Sequence, residues 1–159
     1  MKHKRLNWRP DEEVADNIRE VLPKMAKEYF RSGRKVARRK TKAEQLHEFR
    51  LQTKHFRYLL EFFAPLYGRR MTRPMESLRR IQTLLGELND YAVTRRMMQV
   101  EPEAGRLMEH LDQLEATRRH EFRSYWREAF DKDGEEERWA NLLRAPGRIS
   151  SGEAARPRR

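Results

Sequence analysis

The sequence of 159 residues contains no cysteine, which excludes disulfides, thiolate metal sites and thiol catalysis. It also has no long apolar run, so neither a membrane-spanning helix nor the apolar core of a secretory signal is expected. Alternating strand patterns are almost absent, and the long segments follow the helical period instead. We therefore expect a soluble, intracellular, all-α protein with no membrane association.

Acidic residues are too few to balance the basic ones. The chain has 36 Lys and Arg against 25 Asp and Glu, which gives a net charge of +11 and a pI near 10.3. An excess of this size predicts a polyanionic partner, such as nucleic acid, polyphosphate, anionic lipid or an acidic protein. The length suits a single domain.

The first helix is predicted to begin at Pro10, because proline suits a first helical turn and three acids follow it at the positive end of the helix dipole. Pro23 lies inside the helix and is expected to kink or split it. A break is expected at Gly33. The apolar stripe of this helix consists of Val14, Ile18, Val21, Met25 and Tyr29.

The second helix is predicted to begin at a capping box of Thr41 and Glu44 and to end at residues 65–68, which supply a breaker and a C-cap glycine. Its apolar residues recur every three or four positions, so they share one face and are expected in the core. They are Leu46, Phe49, Phe56, Leu60 and Phe63.

Two further long helices are predicted from Thr72 or Pro74 and from Pro102, the latter ending at residues 131–134 before a shorter helix. Four long helices joined by short turns predict an antiparallel four-helix bundle over residues 1–144, with residues 145–159 as a disordered basic tail. The predicted apolar faces are Met75, Leu78, Ile81, Leu85, Leu88 and Ala92; Leu107, Leu111, Leu114, Phe122, Tyr125 and Ala129; and Trp139, Leu142 and Leu143.

A basic stripe runs beside the apolar stripe of the second helix. His47, Arg50, Lys54 and Arg57 fall within an arc of about 80°, with Tyr58 next to the last. Like charges at this spacing repel one another, whereas a solvated face usually alternates in sign. Guanidinium forks, an ammonium group and a hydroxyl suit phosphate oxygens. The stripe predicts an anion-binding face, although Glu61 lies on the same arc and could neutralise part of it.

Further cations are expected to extend this face. The run from residue 31 to 42 contains seven cations and no acid, and Arg79 lies on the third helix. The residues that we assign to the binding face from these two segments are Arg34, Lys35, Arg38, Arg39 and Arg79.

Gln82, Gly86 and Asn89 recur at helical spacing on the third helix. One interpretation is a close helix crossing at Gly86 with amides that satisfy buried neighbours. The other is that Gln82, Asn89 and Asp90 orient the basic side chains of the second helix. Asp90, surrounded by cations, is expected to be an ion-pair partner and not a catalytic base.

Neither a metal site nor an enzyme active site is indicated. His47 and His55 point about 80° apart, and Glu44 with His47 supplies only two ligands. No nucleophile with a partnered base, phosphate-cradling glycine loop or pair of carboxylates is recognisable. We expect a binding protein with no cofactor and no metal.

Nucleic acid is the main alternative ligand, ahead of a role as a metal-chelating accessory domain. The basic run lacks interleaved aromatics and no recognition motif is present. Tyr58 and Tyr67 could stack on bases but are more simply explained as residues at the edge of the core. A phosphate chain without bases is therefore the favoured ligand.

The stripe resembles the CHAD domain, the conserved histidine α-helical domain. Its pattern His-x-x-Arg-x-x-x-Lys-x-x-Arg-Tyr is present from His47 to Tyr58, and IQTLLGELND on the third helix is also similar. The likeness covers about residues 40–100 and is nearest to the C-terminal repeat of that family. The resemblance implies binding of inorganic polyphosphate and association with polyphosphate granules in the cytoplasm. The ExExK signature of the triphosphatase that often accompanies the domain is absent, so that activity is not implied.

CHAD domains usually contain two such bundles that face each other across a basic groove, whereas this sequence has one motif and room for one bundle. Either the chain forms a homodimer that completes a two-bundle groove, which is the hypothesis we prefer, or it is a truncated or divergent member with weaker binding.

Overall fold

The computed structural model describes residues 9–38, 41–99 and 105–147. In these ranges it contains five α-helices and no strand, which confirms the all-α class. The helices are α1 (Val14–Val36), α2 (Ala43–Phe63), α3 (Thr72–Met98), α4 (Gly105–Ala129) and α5 (Glu135–Arg144), with two short 3₁₀ turns, Ala64–Leu66 and Gly68–Met71, between α2 and α3. The predicted start at Pro102 lies outside the described residues.

Neighbouring helices run antiparallel. His47 of α2 contacts Asn89 of α3, and Arg57 of α2 contacts Gln82 of α3. Residue numbers therefore increase along α2 in the direction in which they decrease along α3. The same reversal relates α3 to α4, where Arg95 meets Glu115. The last turns of α4 reach α1, and α5 continues along α1 with Trp139 against Phe30. The predicted bundle is thus built from α1 to α4, with α5 packed on α1.

The core is rich in aromatic rings. Trp126 of α4 and Phe130, which directly follows α4, stack with ring centroids 4.5 Å apart, and both contact Tyr29 and Phe30 of α1. Such ring pairs add stability beyond the apolar area that they bury. The predicted apolar face of α2 is confirmed, since all five of its residues are buried in this core.

The expected break at Gly33 is wrong, because α1 continues through it to Val36. A Cβ placed on Gly33 would lie 1.9 Å from Cη2 of Trp126, so this glycine makes room for the indole ring. Pro23 is buried and does not split the helix. The helix also begins later than expected, at Val14, and the buried Asn17 side chain accepts a 2.7 Å hydrogen bond from the backbone N–H of Arg9.

Two other local predictions need correction. The N-cap of α2 is Lys42, whose backbone N–H donates to Gln45 Oε1 at 3.0 Å, while the Thr41 hydroxyl bonds carbonyls at the end of α1. On α4, Leu107 and Leu114 are exposed and not in the core, because the buried residues of this helix, Leu111, Phe122 and Trp126, are centred about 70–90° further round its axis.

Residues 145–147, the first part of the predicted tail, pack on the turn after α2. The backbone N–H of Gly147 donates to the Leu66 carbonyl at 2.6 Å, and Pro146 is buried. Arg70 donates a 2.8 Å hydrogen bond to the Ala145 carbonyl. The remainder of the predicted tail lies outside the described residues.

Two buried tyrosines make stability sensitive to alkaline pH. Burial raises the pKa of Tyr67 to about 12 and raises that of Tyr29 further still. The unfolded tyrosine has a pKa near 10, so this contribution to stability is present below about pH 10 and is lost as pH rises through 12. We expect urea midpoints to fall between pH 9.5 and about 11.5.

Tyr67→Phe is the informative variant for this pH dependence. It removes the 2.9 Å hydrogen bond from the Tyr67 hydroxyl to the Leu143 carbonyl, so stability at neutral pH should drop by about 1 kcal/mol. The alkaline decline should be shallower than in the wild type. A decline of unchanged steepness would contradict the role given to Tyr67.

Candidate functional site

The basic stripe predicted on α2 lies on the side of that helix that adjoins α3. Arg57 is its most constrained member, with 12% of its side chain exposed. Its Nε donates to Gln82 Oε1 at 2.7 Å, one of its terminal nitrogens donates to Glu61 at 2.8 Å, and its guanidinium lies 4.2 Å from the centre of the Tyr58 ring. These contacts hold the guanidinium in one orientation.

His47 is fixed in a similar way at the other end of the stripe. Its Nδ1 lies 2.8 Å from Asn89 Oδ1, and because an amide oxygen only accepts, His47 Nδ1 is the donor. Nε2 is left for another partner. Gln82 thus contacts Arg57, and Asn89 contacts His47. In one of our two interpretations, the role of these amides is to orient the basic side chains of α2.

Arg50 and Lys54 occupy the middle of the stripe. Arg50 is half-buried and Lys54 is exposed, with Nζ 5.7 Å from the Tyr58 ring centre. Neither forms an ion pair with another residue in the part of the chain that the structure describes. Their charges are therefore available to a ligand.

The α3 side of the face contains one further cation. Glu61 bridges Arg57 to Arg79, whose terminal nitrogen lies 3.5 Å from the carboxylate, so Glu61 does neutralise part of the arc. Asp90 is exposed, and its side chain pairs with no cation among the described residues. A close crossing at Gly86 is wrong, since no atom described lies within 4 Å of a Cβ placed there. We call the set His47, Arg50, Lys54, Arg57, Tyr58, Arg79, Gln82 and Asn89 the α2–α3 face.

The described basic residues of the run that follows Tyr29 do not all lie on the α2–α3 face. Arg34 pairs with Asp131 at 3.1 Å and with Glu136 at 2.6 Å, on the side of α1 that meets α5. Arg34 and Arg38 both line one groove of 940 Å³, and acidic residues line it as well. Lys35 is exposed in the last turn of α1, and Arg39 lies outside the described residues.

A second groove, of 740 Å³, adjoins His47 and Asn89 between α2, α3 and α4. Arg95 and Arg119 line it but are engaged with Glu115, whereas Arg96 is exposed and pairs with no described acid. Sequence reasoning missed Arg96. Its helical spacing, seven residues after Asn89, was the available signal.

Sequence reasoning also missed a row of exposed side chains on the outermost side of α2. Leu51, Tyr58 and Phe62 have 39%, 47% and 77% of their surface exposed, and His55 is exposed between them. Tyr67 is buried, as expected near the core, but Tyr58 is not. We call Leu51, His55, Tyr58 and Phe62 the outer ridge; their spacing of four, three and four residues places them on one line along the helix.

The described ranges contain no group of three His, Asp or Glu side chains that could hold a metal ion. They also contain no helix that is both long and apolar enough to cross a membrane.

Comparison with known families gives one match. The sequence matches the CHAD domain over residues 2–99. The chain belongs to the CHAD family. The match includes α1, α2, α3 and therefore the whole α2–α3 face, and it confirms the resemblance noted from the stripe. It lies in the N-terminal part of the chain and not in a C-terminal half, which corrects the expectation of a nearest counterpart in the C-terminal repeat.

CHAD is a helical domain of the binding type and not a known catalytic one. No curated protein and no solved structure that was compared with the chain gave a match.

Proposed function

We propose that this CHAD protein binds inorganic polyphosphate through the α2–α3 face. Membership of the family supports a polyphosphate-related role. From His47 to Arg57 the stripe extends about 15 Å along the helix, enough for several successive phosphate groups. Arg50 and Lys54 in its middle have no acidic partner among the described residues, so a phosphate chain would supply the missing negative charge.

The observation that carries the proposal is the kind of partner that holds His47 and Arg57. Gln82 and Asn89 are neutral amides, so these two contacts orient the basic side chains without adding negative charge, and Glu61 is the one described carboxylate that pairs with Arg57. Side chains that are already oriented lose less conformational entropy when a ligand binds. Carboxylates at the same two positions would have stabilised the fold and weakened the face as an anion site.

We also propose that the protein acts by binding and not by catalysis, in the cytoplasm and on polyphosphate granules. The binding-type character of the family supports the first point. The second follows from the ligand that we propose, because granules are where long polyphosphate is concentrated. No cofactor or metal is needed for this function.

Titration with polyphosphate of defined lengths at several salt concentrations tests the proposal. Contacts with phosphates release counterions, so affinity should fall steeply with salt, with a slope of about 3 for log Kd against log salt if four cations engage. Affinity should rise with chain length until the face is filled. Binding that is absent, or that does not depend on salt, would contradict the proposal.

Single-stranded nucleic acid is a second candidate, favoured by one observation. The rings of Tyr58 and Phe62 are exposed beside the cations, and exposed rings can stack on bases. Competition separates the two ligands. We expect polyphosphate to displace labelled RNA at a lower concentration of phosphate than RNA needs to displace labelled polyphosphate, and the reverse order would favour nucleic acid.

A further inference from the structure

The outer ridge contains the most exposed aromatic side chain of the described residues. Phe62 is 77% exposed, and its ring contacts Phe63 edge to face. The four ridge residues lie within an arc of about 60°, directly opposite the buried face of α2. The basic stripe lies to one side of this line, at about 90° from it. Apolar side chains lined up on the outermost part of a helix indicate a surface that another molecule covers.

The ridge is complementary to itself. When two copies of α2 pack antiparallel about a two-fold axis, Leu51 of one copy meets Phe62 of the other, and His55 meets Tyr58. In the same register Glu44, at the start of α2, lies beyond Phe63, the last residue of α2 in the other copy, at the end where the 3₁₀ turn that contains Arg69 follows. Glu44 and Arg69 are exposed, and neither forms an ion pair with a described residue of its own chain. Charges of opposite sign are therefore present at each end of the apolar contact.

The antiparallel arrangement has a consequence for the basic stripes. A two-fold axis perpendicular to two antiparallel helices keeps corresponding sides together, so both stripes lie on the same side of the pair. A parallel arrangement would place them on opposite sides. The two stripes then repel each other unless an anion lies between them, and a polyanion long enough to contact both would hold the two copies together.

The size of the ridge indicates that it is weak by itself. A stable interface covers roughly 800 Å² on each partner, which four partly exposed side chains do not reach. A contact of this kind is well suited to form only when a shared ligand adds its own binding energy. Nucleic acid fits the ridge less well, because Leu51 offers no aromatic face and one face of the Tyr58 ring is covered by Arg57.

We propose that the outer ridge is the interface of a homodimer that forms when one polyphosphate chain binds the basic stripes of two copies. This inference rests on the proposed function and specifies the surface through which the copies meet. The ligand and the interface are coupled, so each strengthens the other by the same factor.

The test compares molar masses from light scattering with and without long-chain polyphosphate. The wild type should change from monomer to dimer when long-chain polyphosphate is added and stay monomeric with tripolyphosphate. The double variant Leu51→Ser/Phe62→Ser should stay monomeric with the long chain, bind it about tenfold more weakly, and bind tripolyphosphate as the wild type does. Both side chains point away from the core, so the fold should be unaffected.

The matched control is Val93→Ser/Met97→Ser, which removes two exposed apolar side chains from α3 and should leave the dimer intact. A ridge variant that still doubles its mass would show that the chain merely tethers two monomers, and would overturn the proposal. A wild type that binds long polyphosphate as a monomer would also overturn it while leaving the proposed function standing. Absence of any polyphosphate binding would refute both. If instead the ridge variant loses single-stranded RNA while the wild type is always monomeric, the ridge is a stacking surface.

Discussion

Replacing Gly33 with alanine is expected to lower the free energy of unfolding by about 2 kcal/mol. A Cβ at this position would lie 1.9 to 2.4 Å from three atoms of the Trp126 ring. That ring is fully buried among other aromatic side chains and has no space into which it can move. Overpacking of this kind costs about 1–3 kcal/mol, more than the gain of up to about 1 kcal/mol that alanine brings to a helix interior.

Gly86→Ala is the matched control and should have the opposite sign. Gly86 also lies inside a helix, but a Cβ there would meet no described atom within 4 Å. Stability should therefore rise by about 0.5–1 kcal/mol through the better helix propensity of alanine. Urea denaturation followed by circular dichroism measures both variants. Equal effects of the same sign would show that Trp126 does not fill the space beside Gly33.

Removing Arg50, Lys54 and Arg57 together by substitution with alanine should abolish measurable polyphosphate binding at physiological salt. At low salt, the slope of log Kd against log salt should fall by about 2, because three phosphate contacts with a flexible polyanion are lost. The helical signal should remain, since Arg50 and Lys54 have no ion-pair partner among the described residues. Arg57→Ala removes one partly buried pair with Glu61.

The control for this triple variant removes the same net charge from another surface. Lys24 and Lys27 line the groove between α1 and α5, and Arg31 lies one turn further along α1. Changing these three to alanine should leave the affinity within about threefold of the wild type, because only a general electrostatic contribution is lost. Equal losses in the two triple variants would show that net charge, and not the α2–α3 face, determines binding.

The sequence was sufficient for what depends on helical periodicity. The buried stripe of α2 and the arrangement of His47, Arg50, Lys54 and Arg57 on one side follow from spacing alone, since neighbours three and four residues apart share a face. The predicted start of α3 near Thr72 and Pro74 also agrees with the observed start at Thr72. The same few residues carried the resemblance to the CHAD family, which the match over residues 2–99 confirms.

What could not be predicted depends on contacts between distant parts of the chain. Arg34 pairs with Asp131, 97 residues later, and no local pattern reveals that the basic run is used in part to bind α5. Gly33 and Gly86 look alike in sequence, and their roles differ because of one indole ring that approaches the first and not the second. The sequence allowed two interpretations of the amides Gln82 and Asn89, and only their partners in the structure distinguish them.

The segment that matches the CHAD family is shorter than the segment that forms the aromatic core. The match ends at residue 99, within one residue of the end of α3. Tyr29 and Phe30 of α1 are nevertheless covered by three rings from beyond the match: Trp126 in α4, Phe130 just after α4, and Trp139 in α5. A fragment that ended at residue 99 would expose the aromatic rings of Tyr29 and Phe30 to water. The segment that matches the family therefore depends on α4 and α5 for a complete core. A relative that keeps the α2–α3 face must also keep C-terminal helices of this kind, although their sequences are less recognisable.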